Sequence, residues 1–217
     1  MTPPGRGALR HGQLLFTQEC KFVRPVRAFE DLPPTKLPEI AFAGRSNVGK
    51  SSLLNALTNR KTLARVSNTP GRTREINLFD LGGRLMLADL PGYGFARVSK
   101  AMSADWRRLI EAYLRGRPQL RRVCLLIDAR HGANDNDRTM MEILDEAAAS
   151  FLVVLTKTDK LNTGELAEAV NAAATAAGRH TAAHPDVIAT SAETKAGLPE
   201  LRVHLANLAE TVYKARR

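Results

Sequence analysis

A glycine-bounded loop at residues 44–51 carries the strongest chemical signal in the chain. Its sequence, Gly44-Arg-Ser-Asn-Val-Gly-Lys-Ser51, has the GxxxxGK[ST] pattern, in which successive main-chain N–H groups face one anion. A strand pattern precedes the loop and a helix pattern follows it, so the helix N-terminus adds a partial positive charge. Lys50 is placed to reach the β- and γ-phosphates of a nucleoside triphosphate, and the Ser51 hydroxyl to ligate Mg²⁺. The pattern predicts a triphosphate site but does not choose the base.

A second phosphate-side element follows a short strand pattern over residues 84–89. It reads Asp89-Leu-Pro-Gly92. A carboxylate at the end of a neighbouring strand can hold magnesium through water, and Gly92 lets its N–H approach the γ-phosphate closely. The alternative is an ordinary strand-ending turn, which the same four residues would also make.

The segment between these elements, Asn68-Thr-Pro-Gly-Arg-Thr73, suits a nucleotide-dependent loop. A threonine there can add its hydroxyl to the magnesium shell while the γ-phosphate is present, and loss of that phosphate would release the loop. Thr73 is preferred over Thr69 because it lies closer to the next strand. The alternative is a polar surface loop without a ligand role.

A third element indicates which base is bound. The apolar run 151–155 leads into Thr156-Lys-Thr-Asp159. A carboxylate can accept hydrogen bonds from N1–H and the N2 amino group of guanine, and adenine lacks that donor pair. The stem of Lys157 can lie along the base plane, and a main-chain N–H in Thr190-Ser-Ala192 can reach the guanine O6. The alternative is a polar strand-end turn; Asp128 is interpreted as structural.

The elements that must position these loops alternate between strands and helices, which predicts a mostly parallel sheet joined by crossover helices. The expected fold is α/β: a three-layer P-loop G domain with a six-stranded sheet and helices on both faces. The strands are expected at 39–43, 75–81, 84–89, 122–128, 151–156 and 186–190, with 75–81 as an edge strand. Apolar residues at helical spacing predict helices around 106–114, 165–177 and 198–212.

Residues 1–20, rich in proline and glycine, are expected to form a flexible arm. Residues 21–213 should form a single domain, and residues 214–217 a basic tail. Of the 217 residues, only Cys20 and Cys124 are cysteines, and neither has the spacing of a metal site. No apolar run is long enough to span a membrane. We expect a cytoplasmic monomer.

The formal net charge of +10 favours a polyanionic partner such as RNA. The alternative is that the charge only maintains solubility. Basic side chains that could face RNA lie near one helix and at the C-terminus: Arg107, Arg108, Arg115, Arg117, Arg121, Arg122, Lys214, Arg216 and Arg217. The alternative for these residues is a solvated face near helix ends.

In the order of these elements, the sequence resembles the EngB/YihA/YsxC family of bacterial GTPases, within the TrmE-Era-EngA-EngB-Septin-like superfamily. The matching stretches are residues 44–55, 68–73, 89–94, 156–159 and 190–192, and the resemblance covers about residues 14–213. It implies binding of GTP or GDP with Mg²⁺, a role in assembly of the large ribosomal subunit or on its rRNA precursor, and a requirement in cell division and septation.

The resemblance also implies a set of site residues. Catalytic roles fall to Lys50 and Gly92, and magnesium ligation to Ser51 and Thr73, with Asp89 acting through water. The GTP-binding residues would be Gly44, Arg45, Ser46, Asn47, Val48, Gly49, Lys50, Ser51, Gly71, Arg72, Thr73, Arg74, Glu75, Asp89, Leu90, Pro91, Gly92, Thr156, Lys157, Thr158, Asp159, Thr190, Ser191 and Ala192.

Two positions depart from the wider GTPase pattern. Thr156 stands where most GTPases have asparagine, so we expect a weaker tie between the base loop and the phosphate loop, and modest nucleotide affinity. Tyr93 stands where many have a water-orienting glutamine, so intrinsic hydrolysis should be slow without a partner or K⁺. Asn47 is a candidate K⁺ ligand; the alternative is that it caps its own loop.

Three functions fit these residues. The first is a ribosome-assembly GTPase, and the second is a regulatory module whose GTP state controls docking to cell-division proteins. The third is a P-loop kinase of small metabolites, which the base-selecting elements at 156–159 and 190–192 argue against.

Overall fold

The computed structural model describes residues 4–60, 63, 75–94 and 100–210, and it contains one seven-stranded sheet. The strands are β1 (Cys20–Val26), β2 (Glu39–Gly44), β3 (Ile76–Leu81), β4 (Leu85–Asp89), β5 (Leu120–Asp128), β6 (Phe151–Thr156) and β7 (Ala183–Ala189). Their order in the sheet is β1-β3-β4-β2-β5-β6-β7. Strands β4, β2, β5, β6 and β7 are mutually parallel, while β3 runs antiparallel to both β1 and β4.

Six α-helices surround the sheet in the described part of the chain. They are α1 (Arg6–Phe16), α2 (Lys50–Leu57), α3 (Lys100–Gly116), α4 (Asp135–Glu146), α5 (Thr163–Ala177) and α6 (Leu198–Glu210). Single-turn 3-10 helices form at Phe29–Asp31 and Thr158–Lys160. Among the described residues, no helix combines the length and the apolar character needed to cross a bilayer.

Helices cover both faces of the sheet, which confirms the three-layer α/β prediction. One core cluster joins the sheet to α3, α4 and α5, and the other joins it to α1, α2 and α6. Strands β2 and β6 are buried at every residue because both of their faces are covered. Their continuous apolar runs end at Gly44 and Thr156, so both strands deliver their loops to the same edge of the sheet.

The expectation of six strands is wrong, because β1 adds a seventh at the edge. It pairs with β3, so residues 75–81 do not form the edge strand that was expected. The register of β1 shifts between Phe22 and Arg24, and Pro25 interrupts its apolar pattern. A bulge breaks the period-2 alternation that identifies a strand, and proline is tolerated because this is an edge.

The expectation of a flexible arm over residues 1–20 is also wrong for its described part. Residues 6–16 form α1, which packs along α6, and Leu15 and Phe16 are completely buried. Gly12 permits the close approach, since a Cβ there would lie 2.8 Å from the main-chain nitrogen of Val203. Glycine therefore serves helix packing here, not chain flexibility.

Candidate functional site

The predicted phosphate loop, residues 44–51, begins at the end of β2 and runs into the first turn of α2. Gly49 caps α2 with φ of +102°, and Asn47 takes φ of +63°, a left-handed conformation that asparagine tolerates. Gly44 leaves no room for a side chain, because a Cβ there would lie 2.8 Å from Cγ1 of Val48. The spacing of the two glycines thus serves a tight turn that delivers Lys50 to the first turn of a helix.

Lys50 and Asp89 are brought together although 39 positions separate them in the sequence. The Lys50 ammonium donates to the Asp89 carboxylate, and the two side chains are only 11% and 8% exposed. Parallel pairing of β2 with β4 places Asp89 opposite Phe42, two residues before Gly44. A partly desolvated cation and a carboxylate therefore meet at the mouth of the predicted phosphate loop.

The Asp89–Gly92 turn lies directly against the phosphate loop. A Cβ on Gly92 would sit 3.1 Å from the Ser46 hydroxyl oxygen and 3.4 Å from its main-chain nitrogen, so a side chain there would crowd Ser46. The Ser46 N–H donates to the Tyr93 carbonyl at 3.2 Å, and the Tyr93 N–H donates to the Gly44 carbonyl at 3.4 Å. These bonds extend the β2–β4 pairing past the ends of the two strands.

The predicted base loops meet at the ends of β6 and β7. The Ser191 hydroxyl donates to Asp159 at 2.6 Å, and the Thr158 N–H donates to the Thr190 carbonyl at 3.3 Å. The hydrogen bond from Ser191, helped by Lys160, lowers the pKa of Asp159. The carboxylate is held ionised, so it offers acceptors only.

Two contacts tie the base loop to the phosphate loop. The Thr156 hydroxyl donates to the Val48 carbonyl at 2.7 Å, and the Lys157 ammonium donates to the Asn47 carbonyl at 2.6 Å. Lys157 also lies 2.9 Å from Asp128. Burial raises the pKa of Asp128, but hydrogen bonds from Arg130 and Lys157 outweigh it and leave that pKa well below its ordinary value. Both loops, residues 44–51 and 156–159, are therefore joined in one continuous floor.

A cavity of about 170 Å³ opens above this floor. It is lined by Gly49, Ser52, Leu53, Thr156, Lys157, Asp159, Lys160, Thr190, Ala192 and Glu193. Sequence reasoning missed Ser52, Leu53, Lys160 and Glu193. Three of these directly follow or adjoin a predicted motif residue, so extending each motif by one or two positions would have found them.

The other predicted residues fall into three groups. Gly71, Arg72, Thr73 and Arg74 fall outside the described residues. Glu75 is described, and its carboxylate accepts from Arg27 on the β1 side of the sheet. Leu90 and Pro91 belong to the turn, where the Leu90 N–H donates to the Phe42 carbonyl at 3.0 Å.

Among the described residues, the arginines considered for RNA contact do not form one free surface. Arg117 is buried and donates to Glu39 through Nε and Nη2 at 3.1 and 2.9 Å, so it is wrong as a candidate for an RNA-facing surface. Arg107 and Arg108 pair with Glu111 and Asp105 on their own helix. Arg122 is half-buried, whereas Arg115 and Arg121 are exposed. Lys214, Arg216 and Arg217 lie outside the described residues.

Comparison with known proteins adds to this geometry. Residues 39–157 match the family described as 50S ribosome-binding GTPase. A protein of Rhodospirillum rubrum described as probable GTP-binding protein EngB is 58% identical over 207 residues, covering 93% of this chain and 90% of that protein. A protein of Hyphomonas neptunium with the same description is 54% identical, covering 93% of each chain.

Solved structures share the fold. A crystal structure of a probable GTP-binding protein EngB superposes with a TM-score of 0.63 at 24% identity, covering 79% of this chain and 98% of that one. Era of Aquifex aeolicus, bound to GDP and AlF₄⁻, superposes with a TM-score of 0.64 at 22% identity, covering 80% of this chain and 57% of that one.

Proposed function

This chain belongs to the EngB family of GTP-binding proteins, and on that premise we propose that it is a slow GTPase switch acting in assembly of the large ribosomal subunit. The observation that carries the proposal is the joining of two loops across one cavity. Thr156 and Lys157, beside the base-selecting Asp159, bond directly to the phosphate loop. One nucleotide can therefore contact both loops at once.

The phosphate end is assigned to the loop 44–51. Its main-chain N–H groups and Lys50 would bind the β- and γ-phosphates, and the Lys50–Asp89 ion pair would exchange for contacts with the nucleotide. Mg²⁺, when bound, would neutralise charge on the phosphate oxygens. Its candidate donors are the hydroxyls of Ser51 and Thr73, with Asp89 through water. The oxygens of Ser51 and Asp89 suit this hard cation.

The base end is assigned to Asp159. Its ionised carboxylate, oriented by Ser191, would accept from guanine N1–H and N2, while adenine would leave it without donors. A main-chain N–H near Ala192 would reach the guanine O6, and the stem of Lys157 would lie along the ring. This assignment of the base site argues against the metabolite-kinase alternative. Phosphoryl transfer to an acceptor other than water would identify a kinase.

Hydrolysis is proposed to be slow, on the order of 10⁻⁴ to 10⁻² s⁻¹ without an activator. The residue after Gly92 is Tyr93, whose hydroxyl is used in a buried hydrogen bond to Asp137. It is therefore not available to orient a water molecule. The proposed activator is the pre-ribosome, and K⁺ held near Asn47 is the alternative. Equal turnover in KCl and NaCl would remove the potassium hypothesis.

The large ribosomal subunit, or its rRNA precursor, is the proposed partner. A net charge of +10 suits a polyanionic surface, and the description of the matching family names 50S ribosome binding. The protein would act in the cytoplasm and would be required for normal cell division and septation. The second candidate is a GTP-dependent module that docks to cell-division proteins, with hydrolysis incidental.

Co-sedimentation with purified large-subunit particles tests the proposal. Binding to the particles should be stronger with a GTP analogue than with GDP. It should also weaken as salt rises from about 50 to about 200 mM, because contacts between basic side chains and phosphates release counterions when they form. The matched control is Asp159→Asn, which should lose GTP-dependent binding and regain it with xanthosine triphosphate. Binding that ignores nucleotide, or no binding at low salt, would reject the partner.

A further inference from the structure

Tyr93 is held through its main chain and its side chain together. Its N–H and carbonyl bond to Gly44 and Ser46, which places it against the phosphate loop. Its hydroxyl donates to Oδ1 of Asp137 at 2.8 Å, and the two residues are 7% and 1% exposed. The residue that follows Gly92 therefore connects the phosphate loop with the first turn of α4, 44 positions later in the chain.

A tryptophan holds the same turn from another side. The indole N–H of Trp106, in α3, donates to the Pro91 carbonyl at 3.2 Å. The Trp106 and Tyr93 rings lie 6.2 Å apart in a tilted arrangement. The turn is thus attached to α3 at Pro91 and to α4 at Tyr93, while Gly92 between them faces Ser46.

The carboxylate that accepts from Tyr93 also builds the start of α4. Oδ2 of Asp137 accepts from the Asn134 N–H at 3.1 Å, and the Asn134 side chain accepts from the Asp137 N–H at 3.2 Å, which is a complete capping box. Arg45 lies near the start of α4, since a Cβ on Gly94 would be 3.3 Å from Nδ2 of Asn136 and 3.6 Å from Nε of Arg45. That Nε is buried and has no hydrogen-bond partner among the described residues.

We propose that Tyr93 is a positioning residue for γ-phosphate recognition, which fixes the Asp89–Gly92 turn through Asp137 so that the nucleotide state is coupled to α4. The inference rests on the proposed roles of Lys50 and Gly92 at the phosphates. If the turn is already ordered in the free protein, ligand binding does not incur the entropy cost of ordering it. The resulting gain in affinity applies only to a ligand that contacts the turn. GTP reaches Gly92 through its γ-phosphate, whereas GDP does not.

Loss of the Tyr93 hydroxyl should therefore lower the affinity for GTP and spare that for GDP. In Tyr93→Phe, the affinity for a non-hydrolysable GTP analogue should fall about fivefold, the usual net value of one buried hydrogen bond. The affinity for GDP should stay within about twofold, since the contacts that GDP makes are not changed. Isothermal titration with each nucleotide measures both constants and their ratio.

Tyr113 provides a matched control. It is a second buried tyrosine whose hydroxyl donates to a buried carboxylate, that of Glu39. Glu39 begins β2, at the opposite end of the strand from Gly44. Tyr113→Phe loses the same kind of bond and should lower the melting temperature, but it should leave the ratio of the two affinities unchanged.

Trp106 supplies a second readout, because it is the sole tryptophan in the chain and contacts the turn directly. Its emission should differ between the GDP and GTP-analogue states of the unsubstituted protein, and Tyr93→Phe should reduce that difference. A ratio unchanged in Tyr93→Phe, or changed equally in Tyr113→Phe, would overturn the inference. Absence of nucleotide binding by the unsubstituted protein would instead reject the proposed function itself.

Discussion

The hydroxyl of Thr156 and the main-chain carbonyl of Val48 lie 2.7 Å apart in a buried hydrogen bond that joins two loops 108 positions apart. The same hydroxyl lies 3.3 Å from the Ile127 carbonyl, so it is held on the sheet side as well. A threonine has one donor to offer here, whereas an asparagine amide has two. The Thr156 side chain thus contributes one donor to the link between the base loop and the phosphate loop, and Lys157 contributes the other.

Thr156→Val should weaken GTP and GDP binding equally, by about fivefold, because it removes the hydrogen bond that joins the base loop to the phosphate loop, and both nucleotides would contact these loops. This outcome differs from that of Tyr93→Phe, which should affect GTP alone. Thr58→Val is the matched control, since Thr58, at the C-terminal end of α2, also donates from a buried position, to the Leu54 carbonyl at 2.8 Å. It should cost stability and leave both affinities intact. A change in the GTP-to-GDP ratio on Thr156→Val would contradict the shared-floor interpretation.

Lys50→Ala should weaken GTP binding by at least about a hundredfold, because a charge-assisted contact to phosphate is lost and Asp89 is left beside the anion without its partner. Fluorescence titration with a labelled GTP analogue measures the effect. Lys36→Ala, at an exposed position, should bind as the unsubstituted protein does. Comparable loss in both variants would point to a general charge effect instead of a phosphate contact.

Ser51→Ala should weaken GTP binding through the metal. The loss should be at least about tenfold in Mg²⁺, as one hydroxyl ligand is removed, and it should shrink when EDTA chelates the metal in both proteins. If the Ser51→Ala deficit persists undiminished in EDTA, the hydroxyl acts on the phosphates directly and not on magnesium.

Asp159→Asn should reverse the base preference from GTP to xanthosine triphosphate by about a hundredfold, because an amide N–H₂ would face the guanine N1–H while the xanthine carbonyl can accept from it. Competition titrations with the two triphosphates measure the reversal. Asp105→Asn, on the exposed face of α3, serves as the control and should keep the GTP preference. Retention of that preference in Asp159→Asn would show that another group reads the base.

The parts of the site that could be predicted from sequence are those whose conformation is set locally. The loop 44–51 needs glycines for its turns, and Asp159 follows a buried strand by three positions, so residue types and spacing were sufficient. The Tyr93–Asp137 bond was not predictable, because it depends on how α4 packs against the turn. Local pattern carries no information about such a distant pairing.

The N-terminal errors have the same origin. Helix α1 contains two glycines, Gly7 and Gly12, whose low helix propensity concealed the amphipathic spacing of its apolar residues. Strand β1 combines a bulge with Pro25, so it lacks the period-2 alternation that identifies a strand. Both are stabilised by non-local contacts. Arg117 is similar: its neighbours in sequence suggested a basic surface, but the fold turns it inward to Glu39.

Arg117→Met should destabilise the protein by about 3–5 kcal/mol, because it leaves the Glu39 carboxylate, which is 0% exposed, without its cation. Tyr113 would remain its partner, and protonation would reduce the cost. The double variant Glu39→Gln/Arg117→Met should recover part of the loss. Urea unfolding measures each value, and Arg115→Met, one helical position from the end of α3 and exposed, is the control. An equal loss in both single variants would contradict the buried-pair account.

His204 should make the protein less stable as pH falls from about 6.5 to about 4. Burial lowers its pKa to about 4, and the nearby His184 and Arg122 add to this, with partial compensation by Asp186. The two histidine rings lie 4.8 Å apart edge-to-face, and Nε2 of His204 is buried with no hydrogen-bond partner in the described part of the chain. The folded state therefore holds His204 neutral, next to groups that disfavour a further positive charge.

The sign follows from proton binding. Below pH of about 6.5 the unfolded chain binds a proton at this histidine and the folded chain does not, so unfolding is favoured until the folded pKa is reached. The penalty should approach about 2 kcal/mol, less than the full shift gives, because the ring is partly exposed. His204→Gln should remove that part of the slope when urea unfolding is measured at steps of pH, whereas His131→Gln, at an exposed position, should not. If the free energy of unfolding falls equally with pH in His204→Gln and in the unsubstituted protein, His204 does not cause the acid sensitivity.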